Sequence, residues 1–111
     1  EIFISADETL VSEALYNLIN NAITHSGKGS EITILQACFN GKVRITVKDN
    51  GPGISPELLD GIWDRYRKGS GSGTGLGLAI VKAVAELNHA GYGVSSKVGI
   101  GSEFWIEFTE A

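Results

Sequence analysis

Asn40-Gly41 constrains this chain more than any other pair of residues, because it sits between two runs that both read as strands, residues 31–39 and 42–49. Asn-Gly favours a two-residue type I′ turn, whose twist matches that of the strands it joins. In the second run Val43, Ile45 and Val47 alternate with Lys42, Arg44, Thr46 and Lys48, so one face packs and the other is wet. An antiparallel sheet with one apolar face needs a layer to cover it. By the same alternation Asp49 falls on the packed side, at the strand's end. A carboxylate there needs a donor, since burying it unpaired is costly. The tight turn Asn50-Gly51-Pro52-Gly53-Ile54 follows and lets another group come close to the backbone. Asp49 either caps that turn through its own backbone or accepts from something bound.

The covering layer is visible as helical periodicity. Leu10, Val11, Ala14, Leu15, Leu18, Ile19, Ala22 and Ile23 recur on one helical face; Ser5-Ala6-Asp7-Glu8 fits a capping box before them, and Ser26-Gly27 a stop after them. Glu13, Asn17 and Asn21 form a stripe on another face, with Asn20 and Thr24 beside it. Asparagine is a poor helix former, so the stripe is either a solvated polar face or a row of amides that holds hydrated Mg²⁺ and phosphate oxygens. Ser55-Pro56-Glu57 opens a second helix, with Leu59, Ile62, Trp63 and Tyr66 at helical spacing and Arg65, Arg67 and Lys68 at its end. The glycine-studded loop of residues 69–77 then runs into a third helix over residues 76–89, with Ala79, Ile80, Ala83, Val84 and Leu87 inward and Gly91 as its stop. Glycines ahead of a helix N-terminus can cradle phosphate, or can simply form a flexible linker. Residues 92–97 and 102–109 read as a last hairpin, with Phe104, Ile106 and Phe108 inward and Trp105 outward; Ile2-Phe3-Ile4 reads as a short first strand. The result is an α+β chain, a two-layer α/β sandwich in which a mostly antiparallel mixed sheet of about five strands lies under three helices.

Composition narrows the function classes. The 111 residues form a single domain over 1–111, with 42% hydrophobic residues and no run long enough to span a bilayer. A net charge of −4 offers no basic face for nucleic acid. One cysteine, Cys38, cannot close an internal disulfide and is expected as a small core residue in a reducing compartment. The absence of methionine, position 1 included, points to a piece of a longer chain.

Several motifs, in order along the chain, resemble those of one family. Asn17-Leu18-Ile19-Asn20-Asn21-Ala22-Ile23 is similar to the N box of bacterial sensor histidine kinases, within the superfamily of gyrase, heat-shock chaperone and mismatch-repair ATPases. Asp49-Asn50-Gly51-Pro52-Gly53 resembles the first glycine box, Ile62-Trp63-Asp64-Arg65-Tyr66 the F box, Gly73-Thr74-Gly75-Leu76-Gly77 the second glycine box, and Gly99-Ile100-Gly101-Ser102-Glu103-Phe104 the closing glycine motif. The resemblance implies the Bergerat ATP-binding fold and Mg-ATP as ligand. It makes Asn21 the Mg²⁺ ligand, places Asn17 near the phosphates, gives Asp49 the adenine amine as donor, and lets Ser102 support that contact. Gly51, Gly53 and Ile54 would belong to the ATP site, Gly73, Thr74, Gly75, Leu76, Gly77 and Leu78 would line the phosphates, and Lys68 or Arg67 would add charge. His25 stands where an aromatic residue is common and can stack or hydrogen-bond there, while Thr24 replaces a frequent lysine.

The same resemblance implies a cytoplasmic domain that makes no membrane contact itself, in a parent kinase that can be membrane-anchored. Its γ-phosphate would pass to a histidine on a separate dimerisation domain and then to a response regulator. Neither His25 nor His89 has the acidic and basic neighbours of the phosphoacceptor motif, so this chain alone is not expected to phosphorylate itself. Two rivals stand beside this expectation. One is gyrase-type hydrolysis or anti-sigma-factor-type serine phosphorylation, which in the second case would use Glu13 as base with Asn17 on the metal. The other is a non-catalytic nucleotide sensor.

Overall fold

The computed structural model describes residues 4, 6–27, 29–64 and 77–110. The expectations for Ile2, Phe3 and Ser5, and for residues 65–76 with Tyr66, Lys68, Gly73, Thr74, Gly75 and Leu76, lie outside the described residues. Helix α1 is Glu8–Ser26, strands β1 and β2 are Ile32–Phe39 and Lys42–Asp49, and helix α2 is Pro56–Leu59. Helix α3 is Gly77–Leu87, and strands β3 and β4 are Gly91–Lys97 and Gly101–Thr109. The four strands make one antiparallel sheet in the order β1-β2-β4-β3. The expected mixed sheet of about five strands is therefore four-stranded and wholly antiparallel among the described residues. Of the first strand, Ile4 is present as an isolated bridge to Glu110.

The β1–β2 hairpin forms as its turn requires. Asn40 and Gly41 take φ of 50° and 73°, and the ladder runs in register from Phe39 opposite Lys42 to Ile32 opposite Asp49. β4 adds to the other side of β2, setting Val43, Ile45, Val47 and Asp49 beside Phe108, Ile106, Phe104 and Ser102. These side chains form the inner face. Phe104, Phe108, Ile106, Val47, Leu18 and Val81 are the largest fully buried residues. Each is worth about 1.5–3 kcal/mol of transfer free energy, so this layer is where the fold is held.

α1 lies over β2 and β4, and α3 over β4 and β3. The cap of α1 is Asp7, whose carboxylate accepts the Leu10 N–H at 3.0 Å, in place of the Ser5 capping box expected from sequence. Asp7 can do this because its own φ and ψ are extended, and its N–H in turn donates to Asn88 Oδ1 at 2.9 Å, tying the start of α1 to the end of α3. Ala14, Leu18 and Ala22 are buried, but Ile23, expected inward, is 56% exposed. The helix layer stops above β2, so the side of α1 that carries Ile23 overhangs an uncovered strand.

Other departures have local causes. α2 is a single turn: Gly61, at φ 125°, breaks the helix that Ile62 and Trp63 were expected to continue, and both instead pack from a turn. Trp63 meets Tyr92 and Phe104 edge-on, with ring centroids 4.9 and 5.8 Å away. α3 is apolar on every side but the stripe of Lys82 and Glu86, an arc too wide for periodicity alone to select its buried face. Leu78, Val81, Val84 and Ala85 are buried, while Ala83 and Leu87, expected inward, are exposed. His89, at φ 53°, turns the chain after α3, and Gly91 belongs to β3 instead. Cys38 is exposed on β1 and not in the core. Thr46, expected on a wet face, is buried. It pairs across the ladder with Trp105, whose indole lies over Gly93 and carries the Arg44 guanidinium 4.7 Å from its ring centre.

Candidate functional site

The inner face turns polar at one end of the sheet. Asp49, 5% exposed, ends β2; Ser102 is its ladder partner on β4, and Ser96 is the partner of Ser102 on β3. Asp49 Oδ1 accepts the Gly51 N–H at 2.9 Å. The turn-capping explanation is thus realised at one oxygen; among the described residues the other oxygen accepts from no donor. That leaves one carboxylate oxygen without a donor among the described residues, an acceptor open to a group that brings its own N–H.

Three loops close around it. A side chain at Gly51 would begin 2.7 Å from Ser26 Cα and 3.0 Å from Asp49 Oδ1, so glycine is what lets the end of α1 reach the carboxylate. Gly53, at φ 78°, packs flat on Lys97 O, and Pro52 O accepts the Gly99 N–H at 2.8 Å. Ile54 N–H donates to Ser96 Oγ at 2.7 Å, and Ser96 and Ser102 hydroxyls lie 2.7 Å apart. Ser96 therefore stitches the turn after Asp49 to β4. Sequence reasoning missed it. Its signal was the strand alternation, which places Ser96 inward beside Val94 and Tyr92.

The end of α1 supplies the next wall. His25 is half-buried, and burial holds its imidazole below the usual histidine range while the nearby Asp49 charge pulls the other way. It is accordingly a neutral ring able to lie against an apolar ligand. Ser26 Oγ is the one buried side-chain polar atom without a partner among the described residues, beside Gly51. One and two turns back on the same helix, Asn21 is 8% exposed with no hydrogen bond among the described residues, and Asn17 is half-buried with its amide nitrogen on Glu13 O at 2.8 Å. Asn17 Oδ1 points at the first residue of α3, 3.3 Å from where a Gly77 side chain would begin. The asparagine stripe is thus turned toward the start of α3 and away from open solvent, while Asn20 and Thr24 are exposed.

Asp49, Gly51, Gly53, Ile54, Ser102, His25, Asn21, Asn17 and Gly77 are therefore brought along one line from the end of β2 to the start of α3. Leu78 is on that line only through its main chain, since its side chain is in the core. No group of three or more His, Cys, Asp or Glu suited to a metal occurs among the described residues. The donor on hand is the Asn21 amide oxygen, a neutral ligand that suits Mg²⁺ only where the ligand's own phosphates bring the charge.

Fold and site define a nucleotide-binding two-layer sandwich. Residues 6–111 match the model of the histidine kinase-, DNA gyrase B- and HSP90-like ATPase family, and the chain belongs to that family. It is 37% identical over 107 residues to the sensor histidine kinase YvrG of Bacillus subtilis, covering 92% of this chain and 18% of YvrG. Full-length ShkA in complex with AMPPNP superposes with a TM-score of 0.85 at 32% identity, over 97% of this chain and 23% of ShkA. The nucleotide-free catalytic domain of histidine kinase ThkA superposes with a TM-score of 0.84 at 30% identity, over 95% of this chain and 69% of that one. The chain thus spans about a fifth to a quarter of the curated relatives it matches, and the solved ThkA chain that it superposes on is a histidine kinase catalytic domain.

Proposed function

We propose that this domain binds Mg-ATP and, as part of a longer cytoplasmic-facing kinase, presents its γ-phosphate to a histidine on a separate dimerisation domain, from which a response regulator would receive it. The observation that carries the proposal is the Asp49 residue, buried at the sheet's end with one carboxylate oxygen held by Gly51 N–H and the other without a donor among the described residues. Adenine's exocyclic amine is the donor that completes it, and guanine's keto oxygen in the same place would face a carboxylate. His25, neutral because burial favours that form, would lie along the base. Ser102 would act through the hydroxyl pair with Ser96, holding the floor beneath Asp49 rather than the base itself.

Phosphates would run from this base site along Asn21 and Asn17 to the first residues of α3, whose free N–H groups and dipole favour anions. Asn21 Oδ1 would hold Mg²⁺, which on binding neutralises phosphate charge. Phosphoryl transfer asks mainly for positioning and charge compensation, so the domain's task is to hold the nucleotide in line for an acceptor it does not carry. Gly73, Thr74, Gly75, Leu76 and Lys68 complete the phosphate end in this proposal on the strength of their motif alone. Calorimetric titration of ATP and GTP with and without Mg²⁺ tests it: selective, Mg²⁺-assisted ATP binding is expected. Equal binding of the two nucleotides would remove Asp49 as the base reader.

A further inference from the structure

Ser102 passes over the strongest acceptor beside it. It is the ladder partner of Asp49, both residues are buried on the inner face, and such partners stand about 4.5–5.5 Å apart at Cβ, within reach of a side-chain hydrogen bond. A hydroxyl that donates to a carboxylate makes a charge-assisted bond, roughly twice as strong as one between neutral groups. Yet among the described residues no hydrogen bond joins Ser102 to Asp49, and the Ser102 hydroxyl lies 2.7 Å from that of Ser96 on its other side. The proton count on Ser96 explains why. Ser96 Oγ accepts the Ile54 N–H at 2.7 Å and lies 3.2 Å from Gly101 O. A carbonyl oxygen can only accept, so the single Ser96 proton goes to Gly101 O; otherwise lone pairs would face each other there. The hydroxyl pair is then completed in one way, by Ser102 donating to Ser96. Ser96 is satisfied, with one bond donated and two accepted, and Ser102 has no proton left for Asp49.

We propose that Ser96 is a positioning residue for base recognition: by drawing the Ser102 proton to itself, it keeps the second Asp49 oxygen open for the amine of a bound adenine. The proposal rests on the reading of Asp49 as the adenine reader, and adds what holds that carboxylate ready. Without Ser96 the Ser102 hydroxyl would turn to the carboxylate. An incoming amine would then exchange one hydrogen bond for another instead of adding one, and the gain from binding would shrink. Ser96 acts through Ser102, from the neighbouring strand β3, and the same oxygen that takes the Ser102 proton also holds the turn after Asp49 through Ile54 N–H. One atom thus sets both the position of that turn and the direction of the proton beside it.

Calorimetric titration of two ligands into this 111-residue chain tests the proposal: ATP, and the triphosphate of purine riboside, which has no amine at that position. The same titrations are made on Ser96→Ala, Ser96→Thr and the double variant Ser96→Ala/Ser102→Ala, each fold checked by circular dichroism. The parent should favour ATP. Ser96→Ala frees the Ser102 proton to cap Asp49 and should cut that preference about five- to tenfold. Ser96→Thr keeps the hydroxyl and should retain the preference. In the double variant the competing proton is gone, so the preference should return, whereas a turn merely loosened by the loss of Ser96 would not be mended by a further deletion. A parent that favours ATP beside a Ser96→Ala variant that favours it equally, or a double variant no more selective than Ser96→Ala, would overturn the proposal alone. A parent indifferent to the amine would overturn the reading of Asp49, and the proposal with it.

Discussion

The two strands of one hairpin contrast in this domain. At the end of β2 the inner face buries polar groups, Asp49 and Ser102, among loops that fit to within van der Waals contact. One strand away, β1 exposes isoleucine, leucine and phenylalanine. Side-chain polarity alone would have predicted the reverse. What decides burial here is where the helices lie: α1 ends against Gly51 and seals the polar end, while the helix layer leaves β1 beyond Ile32 exposed. Polar groups buried under a helix end and apolar groups left outside the helix layer both depart from simple partition. Each is a place where the molecule expects something else to complete it.

Truncating one phenylalanine on each side of this contrast should separate the two regions most. Phe108→Ala removes a fully buried ring and should cost about 3–5 kcal/mol by denaturant unfolding, whereas Phe39→Ala, on the open strand, should cost well under half of that. Similar costs would mean that β1 is packed in solution. Gly51→Ala should come next, at about 1–3 kcal/mol, because its new methyl would press on Ser26 Cα at the seal of the polar end. Glu107→Gln, which releases Arg44 on the outer face, should cost only about 0.2–1 kcal/mol, since the pair is partly exposed.

The pH profile supplies the finest test. His25 has a folded pKa below its unfolded value of 6.5, so the unfolded chain binds more protons in the window just below that value. Stability should therefore be complete above pH 6.5, fall as the pH drops through the lowered folded pKa, and lose this dependence in His25→Gln, measured by thermal melts. A profile unchanged in the variant would place His25 in solvent.

Much of this was legible from the chain. The Asn40-Gly41 hairpin, the strict alternation of β2 and the inward position of Asp49 follow from a period of two that nothing local competes with. The helical period was equally clear in α1, but it fixed only where apolar residues recur. It could not say that the layer stops at β2, which left Ile23 and Cys38 exposed. In α3 the apolar arc takes in all but Lys82 and Glu86, so which part of it is buried was set by packing against the sheet and α1. Alternation put Ser96 on the inner face, but a strand serine reads as neutral; only the ladder that sets it beside Ser102 gives it a role.

The most direct test of the base site is a double cycle: ATP and the triphosphate of purine riboside, which lacks the 6-amino group, titrated into the parent and Asp49→Asn. The parent should favour ATP by about 1–3 kcal/mol, and the variant should bind the two alike, because the amine and the carboxylate are one interaction. A parent indifferent to the amine, or a variant that weakens both ligands by the same factor, would contradict the assignment of Asp49 as the adenine reader.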